Sequence, residues 1–540
     1  MRFNLLLTLL LFISSYSYSQ QSNLPLNRNI YNFYESALNQ KGVQFHTAMR
    51  PYRIAEVDSI ISYEEVFPLQ KLEGKNVFEK LWNWTAYDDW VKVNTEDFHL
   101  AINPLINFSG GMETESGKGI WTNTRGISLY GDIGPNRKFS FATTIRENQS
   151  KFPDYVTAFV KEYNVVPGQG KVRNFKSAAF DYANATGYVS YTPNKYLNLQ
   201  LGTDKNFIGD GYRSMLLSDN SLYYPYFKIS TQVWKIKYTN IWNEYVDAMG
   251  SVDSLMGVTR KWGSYHYLSY DVADWLQIGL FEGIIWMAND SSRYRGLDVN
   301  YLNPIIFFRP IEFGLGSPDN ALIGLNLKLK PVNNVILYGQ FLLDDLDIAA
   351  ARAGEGFYRT KIGLQAGVKY YLNSDDYKHA AIFQLEMNQA SPYTYAHKDP
   401  EQNYAHYNQP IAHPLGANFR EWIGIIEYRF HYRYYVNLKL QFAMIGLDTG
   451  KDSNVGSDIY ISDYEIPNFP DSYGNYIGQG LKTNINSADI RIGYLLNPKI
   501  NMNIEVQYYN RSYKNEQVDL PTQTLSLAFK TDLFNSYYDF

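Results

Sequence analysis

The sequence lacks cysteine altogether, and it lacks the motifs of two common hydrolase classes. With no Cys among 540 residues, disulfide bonds and thiolate metal sites are excluded. Gly-x-Ser-x-Gly and His-Glu-x-x-His are both absent, so we predict no enzymatic activity and no catalytic residues. A strong excess of one charge is also lacking. The 49 basic and 54 acidic side chains leave a net charge of −5, which argues against a nucleic-acid partner.

Long hydrophobic runs are missing beyond the first twenty residues. No segment there has the ~20 consecutive apolar residues that a membrane-spanning helix needs. Aromatic side chains, by contrast, are abundant: they make up 16% of the chain, with 48 tyrosines, although mean hydropathy is only −0.35. A chain that is polar on average yet rich in Tyr is typical of an outer-membrane barrel, whose strands alternate between lipid and lumen.

The first residues predict a signal peptide at positions 1–19. Arg2 supplies a positive charge, Leu5 to Ile13 is an apolar stretch, and Ser17-Tyr-Ser19 is a small-x-small cleavage site. The mature chain is then expected to begin at Gln20 and to be exported to the outer membrane of a Gram-negative cell.

Residues 20–94 show no sustained alternation and predict a periplasmic segment or a plug that enters the barrel. Val77, Phe78, Leu81 and Trp82 fall at helical spacing, which predicts a short helix near residues 75–90. A second helix is predicted after Pro153, where apolar residues between Phe152 and Tyr163 recur at i, i+3 and i+4.

From about Phe98 the hydrophobic period becomes two, which predicts β-strands with one aliphatic and one polar face. The clearest runs are 323–329, 362–370, 436–444, 500–508 and 525–529. Aromatic residues near the ends of such runs suggest the aromatic belts of a membrane barrel: Trp234, Trp242, Trp275, Trp286, Tyr370, Tyr371, Tyr508, Tyr509 and the terminal residues Tyr537 to Phe540. We therefore predict an all-β fold, an antiparallel transmembrane β-barrel over residues 95–540. It should have about 18 strands, with 16 as the alternative, and a small helical periplasmic or plug portion.

A charged, glycine-rich corner follows the alternating strand Leu197–Leu201. It contains four charged side chains, Asp204, Lys205, Asp210 and Arg213, among the glycines Gly202, Gly209 and Gly211. Such charges are costly to bury unpaired, so we expect them to pair inside the barrel or to face water. Two hypotheses follow. In one, Arg213 locks an inward-folded segment by binding carboxylates; in the other, these residues bind polysaccharide.

The segment from Ser391 to Asn418 concentrates tyrosines and histidines. Its tyrosines Tyr393, Tyr395, Tyr404 and Tyr407 are candidates for polysaccharide binding, because a phenol ring can stack on a sugar and hydrogen-bond its edge. The alternative is an aromatic loop that packs on itself above the barrel. His397, His406 and His413 could bind a divalent metal, but their irregular spacing disfavours this, and we predict no metal site and no cofactor.

Several segments resemble the Wzi family of capsule-assembly outer-membrane proteins, in the RemB-type form associated with gliding motility in Bacteroidetes. They are Asp204 to Asn220, Asn303 to Arg309, Gly316 to Gly324, Leu337 to Asp345, Phe45 to Tyr52 and Tyr404 to Gly416. The resemblance implies an 18-stranded barrel with a helical periplasmic portion that acts as a surface lectin. One departure is Ile208-Gly-Asp210, which stands where the enterobacterial members have Trp-Gly-Pro.

The function implied by this resemblance is the binding or organisation of surface polysaccharide, in capsule or exopolysaccharide assembly or retention, with a link to gliding. Extracellular polysaccharide, outer-membrane lipid and gliding or capsule-export machinery are the expected partners. The alternative is a porin-like diffusion channel, because the inner faces of the predicted strands are polar and charged.

Two further expectations concern topology and faces. Short turns such as Asn497-Pro498 should face the periplasm and the loop 391–418 the exterior, so a tag near Gln402 should be accessible on intact cells. Leu440→Arg should place a charge in lipid, whereas Gln441→Arg should point into the lumen and be tolerated.

Overall fold

The computed structural model describes residues 21–176, 178–248, 259–290, 293–305, 319–450 and 453–540. The predicted signal peptide, 1–19, lies outside the described residues. So does the stretch 306–318, which overlaps two of the segments that resemble Wzi.

Eighteen antiparallel strands form a closed barrel, which confirms the predicted fold class and settles the strand number at the larger of the two values. In chain order they are β1 (Phe98–Glu113), β2 (Lys118–Ile133), β3 (Phe139–Lys151), β4 (Ala179–Asn194), β5 (Leu197–Asp204), β6 (Tyr224–Val233), β7 (Ile236–Asp247), β8 (Thr259–Ala273), β9 (Leu276–Met287), β10 (Asn320–Leu329), β11 (Val335–Asp345), β12 (Lys361–Asn373), β13 (His379–Ala390), β14 (Phe419–Phe430), β15 (Tyr434–Leu447), β16 (Leu481–Asn497), β17 (Met502–Lys514) and β18 (Asp519–Thr531).

The barrel closes where β18 pairs with the second half of β1, with Leu525 opposite Met112. The first half of β1 pairs instead with a short strand, Val91–Asn94, which continues the wall below the end of β18. Closure leaves no open sheet edge, so the backbone N–H and C=O groups of the wall are paired without water, as a hydrocarbon environment requires.

The alternating pattern assigns the two faces of β15 and β18 correctly. In β18, Leu525 and Leu527 are exposed on the outer surface while Thr524 is buried inside. Likewise Gln441 faces inward and Leu440 outward in β15. Gln441 is also fully buried and donates to Glu421, however, so an arginine at this position is now expected to be tolerated poorly.

The predicted aromatic belt is correct only in part. Trp234, Trp275, Tyr370 and Tyr508 are exposed at the outer surface, whereas Trp242, Trp286, Tyr371 and Tyr509 are buried. Consecutive residues of a strand point to opposite faces, so the second tyrosine of each Tyr-Tyr pair turns into the lumen. The terminal residues Tyr537 to Phe540 also lie inside the barrel rather than at the membrane interface.

In the described ranges, seven short α-helices lie between or before the strands. They are α1 (Arg28–Asn32), α2 (Glu35–Leu38), α3 (Ile54–Asp58), α4 (Tyr63–Val66), α5 (Val77–Tyr87), α6 (Asp154–Tyr163) and α7 (Ile348–Ala353). Helices α5 and α6 occupy the two stretches where helical spacing predicted them. Among the described residues, none of the helices has the length and apolar character to cross a membrane.

The connections differ at the two ends of the barrel. At one end the turns are short, as at 195–196, 234–235 and 274–275; at the other end lie long connections, including 205–223, 391–418 and 448–480. In barrels of this kind the short turns face the periplasm and the long loops face outward. Gln402 itself is only 5% exposed, whereas Glu401 beside it is exposed, so labelling of a tag inserted near Gln402 stays a prediction.

Because the chain has no cysteine, single cysteines provide a sharper test of this topology. Glu516→Cys, in an exposed turn at the loop end, should react with a membrane-impermeant maleimide on intact cells. Lys195→Cys, in an exposed turn at the other end, should react only after the outer membrane is permeabilised. Labelling of Lys195→Cys on intact cells would reverse the orientation.

Candidate functional site

Four parts of the chain outside the strands pack inside the barrel wall, and together they form the candidate site. They are the N-terminal segment (21–70), the inward loop (205–223), the tyrosine loop (391–418) and the C-terminal tail (532–540). Each hydrogen-bonds to inward-facing side chains of the strands or to one of the other three segments. The lumen is therefore a second core, built from polar as well as apolar groups.

The inward loop meets the N-terminal segment in a two-stranded sheet. Phe207–Ile208 pairs antiparallel with Met49–Arg50, and the Gly209 N–H donates to the Ala48 carbonyl at 2.7 Å. The glycines permit close contacts. A side chain at Gly211 would collide with the carboxylate of Glu386. This carboxylate accepts hydrogen bonds from the main-chain N–H groups of Tyr212 and Arg213.

Arg213 joins the inward loop to the wall and to the tail. Its guanidinium donates to both carboxylate oxygens of Glu421, at 3.0 and 3.3 Å, and to Asp539, at 3.2 Å to Oδ1 and 2.9 Å to the main-chain oxygen. Only 2% of the Arg213 side chain is exposed. The planar guanidinium lies 4.9 Å from the ring centroid of Tyr212. These contacts are those that the locking hypothesis requires.

Asp210 and Lys205 are likewise bound by protein groups. Asp210 accepts from Thr47 at 2.5 Å and from Asn326 at 3.1 Å, so it links the N-terminal segment to β10. Lys205 donates to the main-chain oxygens of Gly168 and Asp219 at 2.9 and 2.8 Å. Burial lowers the pKa of Lys205 to about 8, although Asp219 acts in the opposite direction.

Asp204 stands at the end of β5 and accepts from the main-chain N–H of Lys205 at 2.8 Å. Three of the four charged residues of the corner therefore lie on the inward loop, Asp204 lies directly before it, and each of the four has a protein partner. Their binding of polysaccharide stays a prediction.

The N-terminal segment is fixed by a buried carboxylate that the sequence analysis did not single out. Glu35 binds Arg50 at 2.8 Å and Lys369 of β12 at 2.7 Å. Burial alone would raise the pKa of Glu35, but the two cations reverse the effect and hold this pKa at about 2. The carboxylate is charged at neutral pH and ties the segment to the wall.

The tyrosine loop folds inward rather than standing above the barrel. Tyr395 and Tyr404 are fully buried, and their hydroxyls donate to the main-chain oxygens of Met215 and Leu216 at 2.8 and 2.6 Å. Their rings stack at 5.6 Å between centroids. This arrangement brings two of the predicted tyrosines onto the inward loop, as packing partners of its apolar residues.

The other two predicted tyrosines lie nearer the loop surface. Tyr393 is buried and donates to the Asn454 carbonyl at 3.0 Å. Tyr407 is half-buried, and its main-chain N–H donates to the Val246 carbonyl at 2.8 Å. Sugar binding by the four tyrosines stays a prediction.

The three histidines of this loop make separate contacts. His413 binds Glu421 at 2.7 Å, His406 accepts from the Val246 N–H at 3.0 Å, and His397 accepts from the Asp399 N–H at 3.2 Å. Within the described ranges, no cluster of three or more His, Asp or Glu side chains could hold a metal ion.

The C-terminal tail is the part of the site that sequence reasoning missed. Tyr537 donates to Asp219 at 2.8 Å, Asp539 binds Lys439 at 2.6 Å, and Tyr155 of α6 donates to the Tyr538 carbonyl at 2.9 Å. The sequence offered one signal: β18 loses its alternation at Thr531, and the residues after it are too polar and aromatic to continue a lipid-facing strand.

A cavity of about 360 Å³ remains between the tail and the inner wall. Its lining includes Arg146, Tyr155, Tyr509 and Ser526 together with the tail residues Leu533 to Asp539. The lumen is thus largely packed but not completely filled.

Comparison with known proteins shows a likeness in fold alone. No protein-family model and no curated protein matches this chain. Among solved structures, it is similar to Wzi, an outer membrane protein involved in group 1 capsule assembly in Escherichia coli that is described as a carbohydrate-binding β-barrel. The TM-score is 0.56 at 13% identity, and the alignment covers 94% of this chain and 99% of that one.

Two outer-membrane proteins of Pseudomonas are less similar. OpdK of Pseudomonas aeruginosa gives a TM-score of 0.41 at 12% identity over 80% of this chain and 98% of its own. A BenF-like porin of Pseudomonas fluorescens gives 0.41 at 10% identity over 81% and 99%. The protein thus has the closed 18-stranded fold of outer-membrane β-barrels. Of these three structures, Wzi is the one with a TM-score above 0.5.

Proposed function

We propose that this protein is a non-enzymatic outer-membrane barrel that binds or organises surface polysaccharide. The observation that carries the proposal is the packed lumen, in which Arg213 connects the inward loop, the wall and the tail. A lumen filled by the protein's own segments serves diffusion poorly, whereas it supports outer loops in a fixed arrangement. The likeness in fold to a carbohydrate-binding barrel supports the same function.

In this proposal residues 1–19 are removed on export, residues 20–94 form a plug with the periplasmic helix α5, and residues 95–540 form the barrel. The charged corner (Asp204, Lys205, Asp210, Arg213) holds the outer loops in place. The four tyrosines support or contribute to the sugar-binding surface, and Tyr407 is the one that is half-exposed.

A diffusion channel is the second candidate, and the cavity beside the tail favours it. The cavity is lined from Lys151 near the loop end to Asn27 and Arg28 of the N-terminal segment. The tail crosses this route, because Tyr537 is bound to Asp219 of the inward loop and Asp539 is bound to Arg213 and to Lys439 of the wall. A small solute could follow the route only if the tail moved aside.

Deletion of the gene separates the two functions. In a strain without the protein, cell-attached polysaccharide should fall while polysaccharide in the medium rises, with the total unchanged, and the wild-type gene should restore attachment. The pure protein in planar bilayers should show no large, steady conductance. Steady conductance together with unchanged cell-attached polysaccharide would reject polysaccharide retention in favour of the channel.

The link to gliding motility rests on the sequence resemblance alone. In the same deletion strain, we expect slower spreading on agar, because adhesive polysaccharide would be lost from the surface. Normal spreading with reduced cell-attached polysaccharide would confine the function to capsule or exopolysaccharide retention.

A further inference from the structure

Two outer loops bring five aromatic rings into one continuous row. The rings of Tyr473 and Phe357 lie 4.9 Å apart, those of Phe357 and Tyr358 4.8 Å, those of Tyr358 and Phe469 6.1 Å, and those of Phe469 and Tyr464 4.5 Å. Phe357 and Tyr358 come from the β11–β12 connection and the other three from the β15–β16 connection. We call these five residues the aromatic row.

The aromatic row is exposed at its ends and anchored in its middle. Tyr464 and Tyr473 are each 50% exposed and Phe469 is 42% exposed, whereas Tyr358 is buried. The Tyr358 ring packs edge-on against Tyr393, one of the tyrosines predicted to bind sugar, with centroids 6.4 Å apart. Single exposed rings are common on protein surfaces, but contiguous exposed apolar groups mark interaction sites.

Backbone hydrogen bonds hold the two loops together, so the aromatic row is preformed. The Gly474 N–H donates to the Glu355 carbonyl at 2.7 Å, the Asn475 N–H donates to the Gly356 carbonyl at 2.9 Å, and the Tyr358 N–H donates to the Ser472 carbonyl at 3.1 Å. A rigid set of rings loses little conformational entropy when a ligand covers it, which favours binding.

The charges beside the aromatic row select the kind of ligand. The carboxylates of Glu355, Glu465 and Asp471 are exposed next to its rings in sequence. The guanidinium of Arg359 is bound by Asp345 at 2.7 Å. An acidic margin repels polyanions, since like charges cost free energy when brought together. Uncharged sugars can lay their apolar faces on the rings and bond their hydroxyls to the tyrosine and carboxylate oxygens.

We propose that the aromatic row is the binding site for a neutral polysaccharide, with sugar units stacked on its exposed rings, Tyr464, Phe469 and Tyr473, while the buried Tyr358 supports them. This inference rests on the proposed function and assigns it a site and a ligand class. Under this proposal the sugar contacts the aromatic row and not the buried tyrosines of the tyrosine loop, one of which, Tyr393, packs against Tyr358 of the row.

The test uses surface polysaccharide extracted from cells that carry the protein, separated by anion exchange into neutral and acidic fractions. Each fraction is immobilised, and the purified full-length barrel is titrated onto it. Tyr464→Ala and Tyr473→Ala should each weaken binding to the neutral fraction about tenfold, as loss of an aromatic contact does at other interfaces. Tyr473→Phe, which keeps the ring, should change binding less than about threefold.

Tyr196→Ala is the matched control, because Tyr196 is 47% exposed in a short turn at the opposite end of the barrel. It should bind like the wild type. Every variant should keep the heat-modifiable gel mobility of the folded barrel, since the replaced side chains are half-exposed. A double variant, Tyr464→Ala with Tyr473→Ala, separates the site from the function. If the wild type binds the neutral fraction and the double variant binds it equally well, the aromatic row is not the binding site, while the proposed function stands. Preference for the acidic fraction would also overturn the site, and binding to neither fraction would overturn the proposed function itself.

Discussion

Arg213→Ala is expected to destabilise the folded barrel by about 3–5 kcal/mol, the range found when one partner of a buried ion pair is removed. The variant leaves Glu421 and Asp539 buried without the guanidinium that binds both. It also removes one of the links between the inward loop and the tail, although Asp219 still binds Tyr537. The temperature at which the barrel loses its heat-modifiable gel mobility should therefore fall clearly below that of the wild type.

A surface ion pair supplies the control for this result. Arg359→Ala removes the partner of Asp345 in an exposed pair, and exposed pairs contribute only about 0–1 kcal/mol. A second variant identifies the cause: adding Glu421→Gln to Arg213→Ala should recover part of the stability, because the uncompensated charge is then removed.

The two hypotheses for Arg213 make different predictions for polysaccharide. The locking hypothesis requires lower stability, with any loss of cell-attached polysaccharide following from misplaced loops. A barrel of wild-type stability that retains less polysaccharide would instead support direct binding by Arg213. Wild-type stability together with wild-type polysaccharide would contradict both hypotheses.

The barrel wall was predictable because its signal is local. Alternation over about ten residues fixes both the strand and its faces, and it correctly placed Leu525 outside and Gln441 inside. One strand begins later than the alternation predicts. The alternating run begins at Ile500, but β17 begins only at Met502, because Pro498–Ile500 forms a 3₁₀ turn.

The packing of the lumen was not predictable in the same way. Arg213 and Asp539 are 326 residues apart, and no periodicity connects them. Sequence reasoning recognised that the charges of the inward loop needed partners, because unpaired burial is costly. It could not name those partners, since any inward-facing carboxylate of the wall satisfies the same requirement. The tail and the aromatic row were missed for this reason: their roles depend on which segments meet in space.

The face assignment also predicts a large difference between two adjacent residues of β18. Leu525 lies near the middle of this strand and is 47% exposed on the outer surface. An arginine there would stand in hydrocarbon, so Leu525→Arg should cost about 2–4 kcal/mol of folding free energy. In Ser526→Arg the arginine side chain would instead enter the cavity beside the tail. Asp489 and Glu505 also line this cavity.

Ser526→Arg should therefore keep a stability near that of the wild type, since the cavity offers space and carboxylates for the guanidinium. This pair replaces the comparison of Leu440 with Gln441, because Gln441 is fully buried and has no such space. The free energies of unfolding of both variants, measured by urea titration in detergent or lipid, give the comparison directly. Equal losses at positions 525 and 526 would contradict the assignment of the outer face of β18 to lipid.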